Sequence, residues 1–177
     1  MENLRYKKIK SFILTVDGKS SSGKSTAAKL LSKKFAIPHL SSGLLYRWAA
    51  KKIIENKPRN KIRYLKRCFK KFNYNTLKNI NLHKPEISAY SAVIARILSV
   101  RKIIKKTQKL WVYKNRKCCV VEGRDSHLIF PNAFLKFYLK ANLNTASLRR
   151  FKELRKKNRK ITFKDVKKDL RNRDYSD

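Results

Sequence analysis

The chain has 177 residues, with 47 Lys+Arg against 11 Asp+Glu and a formal net charge of +36. That length suits one medium-sized domain with a small insertion and excludes two large domains. Hydrophobic residues at 42% and aromatics at 11% exclude wholesale disorder, and four Gly and four Pro exclude collagen-like or linker compositions. So basic a balance points first to nucleic acid, nucleotides or an anionic membrane. Lys outnumbers Arg 32 to 15 and Asn and Ile are also plentiful, a combination that AT-rich codons produce without any selection for charge.

Phe12–Val16 (FILTV) is a compact run of β-formers, as expected of a strand buried on both faces in a parallel sheet. It is only five residues long before Asp17, too short for a signal-peptide core, and no later segment reaches the roughly eighteen apolar residues of a membrane span. After the polar loop KSSSG, apolar positions at Ala27, Ala28, Leu30, Leu31 and Phe35 predict an amphipathic helix from Lys24 to Phe35. Pro38-His39-Leu40 reads as a short strand, and Ser41-Ser42-Gly43 as the cap of a helix carrying Leu44, Leu45 and Trp48. From Lys51 to Leu82 the periodicity weakens, with cations interleaved among Tyr64, Phe69, Phe72 and Tyr74. Pro85 opens a helical stretch through Ile97, and a second runs from about Val100 to Tyr113. Cys118–Val121 is a strand ending in Glu122-Gly123-Arg124-Asp125. Leu135–Leu139 is another, followed by a helix from about Thr145 to Lys156, a basic turn, and a Thr-capped helix start at Thr162-Phe163-Lys164-Asp165. The alternation of strand and helix predicts an α/β fold with a mostly parallel sheet.

Cys68, Cys118 and Cys119 form no CxxC pair and no metal-binding spacing; an odd count with two adjacent thiols indicates a reducing compartment. A soluble, cytoplasmic protein is expected. His39, His83 and His127 are too scattered for a metal site and read as structural or surface residues.

Gly18-Lys19-Ser20-Ser21-Ser22-Gly23-Lys24-Ser25 fits G-x-x-x-x-G-K-[ST] without a mismatch, in the strand–loop–helix context the motif requires. Such a loop turns backbone N–H groups inward and adds the positive end of a helix, so phosphate oxygens are cradled. ATP is therefore expected over Gly18 to Thr26, with Lys24 placing a point charge on the β/γ-phosphates and the Ser25 hydroxyl ligating Mg²⁺. The short chain argues against helicases and motors. A GTPase would carry an N-K-x-D guanine signature, which the sequence lacks.

Three segments resemble the bacterial cytidylate (CMP/dCMP) kinases of the nucleoside-monophosphate kinase group. They are ILTVDGKSSSGKST, HLSSGLLYR and VVEGRDSHLIFPNAFLKFYLKA, with weaker support from YSAVIARILSVR and from the last 28 or so residues. The resemblance implies a P-loop nucleoside-monophosphate kinase fold, α/β, with a parallel sheet flanked by helices. Its core would take residues 11–50 and 115–177 with a lid at about 150–164, and a small helical acceptor-binding insertion would take 51–114. It implies transfer of the γ-phosphoryl of ATP to CMP or dCMP with Mg²⁺, by a monomer needing neither a protein partner nor a membrane. Ser42, Arg47 and Arg124 would hold the acceptor phosphate with Tyr46 packing beside it. Asp125, Arg101 and Ser91 (or Ala92, if no gap is allowed) would read the cytosine edge. Arg173 and Asp177 would lie near the phosphates and the pentose, and Glu122 would organise Mg²⁺ through water. Lys24, Arg124 and Arg173 form the expected catalytic set. Without their neighbours, Tyr46 and Arg47 read as a core aromatic and a solvated cation; the SSG–YR spacing beside a phosphate loop favours ligands. Both a solvated helix face and a ligand role fit Arg101, and Arg149-Arg150, at the lid position, read as a solvated charge run.

The sequence departs from the family at several points. Ser41 stands for Asp, Lys19 for Pro, and Ser126-His127 for Met/Ile-Gly, two bulkier groups expected to crowd the acceptor pocket. Residues 51–82 are shorter than the family's insertion. Family members also continue past the position of Asp177 with another Arg-bearing turn, a strand and a helix, so a fragment or a minimal enzyme is expected. Competing readings are a basic P-loop protein that binds nucleic acid through the Lys/Tyr/Phe stretch at 59–78, another small-molecule kinase, or an inactive fragment.

Overall fold

Seven consecutive buried residues, Phe12–Gly18, form β1, which can be apolar on both faces because it lies inside the sheet rather than at its edge. The computed structural model describes residues 11–156 and 161–175, without the side chains of residues 78, 79 and 173–175. β1 pairs in parallel with β3 (Cys118–Glu122) on one side and β4 (Leu135–Leu139) on the other. With β2 (His39–Ser41), the sheet order is β2-β3-β1-β4. The registers Val16↔Glu122 and Gly18↔Leu139 bring the carboxyl ends of the three long strands level, where ligands bind in open α/β sheets.

Two units divide the chain. The first comprises the residues up to His39 and from Cys118 onward, and the second runs from Leu40 to Lys117. In the first, α1 (Lys24–Phe35) lays Ala28 against Phe12, Leu14, Val16, Ile37 and Val120, all buried. The Phe12 ring meets Phe35 and Phe134 at centroid distances of 5.3 and 5.0 Å. Short α6 (Ser126–Ile129) follows β3. Helices α7 (Leu143–Arg155) and α8 (Phe163–Tyr175) pack together around Ala146, Val166 and Leu170, and Thr162 caps α8 by accepting from the Asp165 N–H at 3.2 Å.

The second unit is helical, with α2 (Ser42–Asn56), α3 (Lys61–Lys70), a 3-10 turn at Tyr74–Asn79, α4 (Pro85–Ala95) and α5 (Leu98–Lys114). The Ser41 side chain makes no capping hydrogen bond to α2, contrary to the expected cap; instead its backbone N–H donates to the Tyr74 hydroxyl at 2.7 Å. Helix α3 lies where the sequence periodicity weakens. Asn60 caps it, accepting from the Arg63 N–H at 2.9 Å, and Leu65 is its fully buried residue. The aromatics of this stretch pack inward rather than forming a stacking platform: Phe69 and Phe72 lie 4.9 and 4.7 Å from the Trp48 ring, and Tyr74 lies 5.6 Å from Trp111. Among the described residues no helix is long and apolar enough to cross a membrane.

Candidate active site

The segment between β1 and α1 is shaped by its two glycines. Gly18 has φ +148°, and a Cβ there would meet the Leu139 carbonyl oxygen at 2.3 Å, so the loop leaves the sheet pressed against the backbone of β4. Gly23, at φ +98°, is the N-cap of α1, its carbonyl accepting from the Ala27 N–H at 3.0 Å. Between them Ser21 has φ +55°, and the Lys19 carbonyl accepts from both the Ser22 N–H and the Lys24 ammonium. Ser22 Oγ is buried without a protein hydrogen-bond partner, the kind of group an anion in the loop would satisfy. Thr26 is exposed in the first turn of α1.

At the end of β3, Glu122 is only 6% exposed. Its Oε1 accepts from the Ser25 hydroxyl at 2.7 Å, and its Oε2 lies 3.2 Å from His39 Nε2. Burial pushes the carboxyl up, but the hydrogen bonds from His39 and Ser25, with the charges of His39 and Lys24, outweigh it and hold Glu122 below its ordinary value. Two hard oxygen donors, one anionic, thus stand together beside the start of α1. That donor set suits Mg²⁺, which takes one or two protein oxygens and completes its shell with phosphates and water.

Arg124, two residues on, reaches back to the loop: its Nη2 donates to Ser20 Oγ at 2.6 Å. Behind it, Asp17 receives the N-terminus of α6. Its Oδ1 accepts from the Ser126 N–H at 2.9 Å, and its Oδ2 accepts from the His127 N–H at 2.8 Å and meets His127 Nδ1 at 2.9 Å. Ser126 is fully buried. These two residues therefore anchor α6 to β1. Arg149, exposed on α7, brings Nη1 to 3.8 Å from the position a Gly23 Cβ would take, alongside the loop. Arg150 instead pairs with Glu153 at 3.0 Å.

Residues 14–177 match the family model described as cytidylate kinase. The chain belongs to the cytidylate kinase family. It is similar to the cytidylate kinase of Bartonella tribocorum, at 31% identity over 175 residues covering 96% of this chain and 79% of the relative. It is also similar to those of Thermosipho melanesiensis (34%, covering 93% and 79%) and Thermotoga petrophila (34%, covering 94% and 80%). The parallel sheet flanked by helices is the nucleoside-monophosphate kinase fold.

Of the residues that resemblance to cytidylate kinases implies, the first unit brings together the loop from Gly18 to Ser25, Glu122 and Arg124, with Asp125 as the N-cap of α6. Ser42, Tyr46 and Arg47 lie in the first two turns of α2, Ser91 on α4 and Arg101 exposed on α5, all in the second unit. Ser91 Oγ donates to the Ser88 carbonyl of its own helix at 2.8 Å. Arg173 lies in α8, its side chain outside the described residues, as is Asp177. Three residues beside these groups escaped the sequence reading. His39 and His127 each meet a carboxylate at a strand end, and Arg149 reaches the loop. The RR pair one turn into a helix was a usable signal for Arg149; neither histidine had one.

Proposed function

We propose that this chain transfers the γ-phosphoryl of ATP to CMP or dCMP, giving ADP and the corresponding diphosphate. The observation that carries the reading is the reach of Arg124 onto Ser20, which puts a guanidinium at the lip of a phosphate loop that already holds Lys24. A monophosphate acceptor is a dianion that must lie in line with the γ-phosphate, and Arg forks hold such a group at fixed angles.

An oxygen of the acceptor phosphate attacks the γ-phosphorus while the bond to the β-phosphate oxygen breaks, so ADP leaves and no covalent enzyme intermediate is needed. Backbone N–H groups and the start of α1 bind the donor phosphates, and Lys24 swings from the Lys19 carbonyl to the β/γ oxygens. Ser25 would ligate Mg²⁺ and Glu122 would hold it through water, and the ion would supply positive charge to offset that of the phosphates. Arg124 holds the acceptor phosphate, and Arg173 is assigned to the migrating group. Ser42, Tyr46, Arg47, Ser91, Arg101, Asp125 and Asp177 are assigned to CMP on their sequence motifs. Residues 150–164 are assigned to a lid that excludes water, and 51–114 to the acceptor-binding insertion of a core spanning 11–50 and 115–177. The three free cysteines favour a reducing, cytoplasmic setting.

A coupled ADP-release assay across CMP, dCMP, UMP and AMP, with Lys24→Ala as control, tests the reading. Turnover with CMP or dCMP above the other acceptors, falling about 100-fold or more in Lys24→Ala, is expected. No CMP-stimulated ADP release from folded protein overturns it.

A further inference from the structure

His39 lies 83 residues from Glu122 in sequence, at the start of β2, yet its ring meets a buried carboxylate beside the phosphate loop. The Glu122 carboxylate is held at both oxygens, with Ser25 Oγ on Oε1 at 2.7 Å and His39 Nε2 on Oε2 at 3.2 Å. An ionised carboxylate only accepts, so Nε2 carries the hydrogen in this contact. The Ser25 hydroxyl has one hydrogen and two lone pairs; spending the hydrogen on Glu122 turns the lone pairs away from the carboxylate. The orientation of Ser25 as a metal ligand thus depends on where Oε1 sits, and that depends on what holds Oε2. The carboxylate's terminal torsion is soft, with a broad two-fold profile, so a partner on one oxygen alone leaves the other free to swing.

We propose that His39 is a positioning residue for the metal of the donor nucleotide: by holding Glu122 it fixes the direction in which Ser25 and Glu122 present oxygen to Mg²⁺. The inference rests on the nucleotide-kinase reading of the phosphate loop but not on the identity of the acceptor. The hydrogen-bond partner of the His39 ring is Glu122 and not a phosphate, so metal-free nucleotide binding should not depend on it.

Two amide variants separate the Nε2 contact from mere polarity. His39→Gln can carry an amide N–H to about the position of Nε2, whereas His39→Asn stops one methylene short. The measurement is the dissociation constant of ADP, by calorimetry, in excess EDTA and again in saturating Mg²⁺, with no acceptor present. The expected result is an EDTA value within about 2-fold of wild type for both variants, with the Mg²⁺-dependent gain in affinity reduced on the order of 10-fold in His39→Asn and restored to within about 3-fold in His39→Gln. Equal weakening with and without metal, an unchanged gain in His39→Asn, or equal loss in both folded variants overturns the proposal. Absence of CMP turnover alongside the expected Mg²⁺ pattern would count against the acceptor and leave the role of His39 standing.

Discussion

The Asp17 carboxylate holds His127 twice, accepting from its backbone N–H at 2.8 Å and meeting its Nδ1 at 2.9 Å. Since it also accepts from the Ser126 N–H at 2.9 Å, the end of β1 supplies the first turn of α6 with acceptors that its own backbone lacks. Gly123, Arg124 and Asp125 form the short span between β3 and that turn, so Asp17 helps fix where Arg124 begins.

Asp17→Ala should therefore destabilise the protein by about 3 kcal/mol, because one buried and one part-buried N–H group lose their acceptors at once. His127→Ala keeps both backbone contacts and loses only a ring that is 39% exposed, so its cost should stay within about 1 kcal/mol. Urea unfolding of the two variants decides the matter; equal losses would mean that the ring rather than the backbone carries the anchor.

The two loop glycines should tolerate a methyl group unequally. At Gly18 a Cβ meets backbone oxygen of Leu139 at 2.3 Å, and backbone cannot rotate aside; at Gly23 the nearest atoms are side-chain ends at 3.8 and 3.9 Å. Gly23→Ala should carry only the positive-φ strain, about 1 to 2 kcal/mol, while Gly18→Ala should cost more than that and shift the loop off β4. The readouts are denaturant midpoint and ADP affinity, and an equal penalty at both positions would contradict the close approach of Leu139.

What could be read from the sequence was what local pattern determines. Strands β1 and β3 were visible as apolar runs because parallel strands are buried on both faces, and α1 was visible from its spacing. The phosphate loop was legible because its chemistry needs residues at fixed spacing. Helix α3 was not, since a ten-residue helix burying Leu65 alone among five cations leaves little periodic signal. The interleaved Phe69 and Phe72 looked like a nucleic-acid platform because nothing local shows that Trp48 closes over them. His39 and His127 were opaque for the same reason: their carboxylates lie 83 and 110 residues away, and only the folded chain brings them together.

That correction makes the aromatic stretch a question of stability. Phe69→Ala opens a gap under Trp48 and Phe72 and should cost about 3 kcal/mol. Exposed Lys66 and Lys70 on the same helix should each tolerate Gln within about 0.5 kcal/mol. Thermal or urea melts give both numbers; a near-neutral Phe69→Ala would show that its ring does not support the helical unit.

The thiols of β3 should be inert for a stated electrostatic reason. Burial first, and the neighbouring Cys118 second, push the Cys119 thiol from its ordinary 9.0 up to about 12, and burial raises Cys118 as well. At pH 8 a thiol with an ordinary value is about a tenth thiolate and one near 12 about a ten-thousandth, so Cys119 should be alkylated roughly 1,000-fold more slowly than in the unfolded chain. Because the folded value lies above the unfolded one, the linked stability is fully present below pH 9 and is lost as pH rises from there towards about 12. Iodoacetamide labelling followed by peptide mass analysis, with Cys68 on α3 as the comparison within the same chain, should mark Cys119 only after denaturant is added. Labelling of native Cys119 at a rate near that of the unfolded chain would mean that β3 opens under native conditions, and with it the strand that carries Glu122 to the phosphate loop.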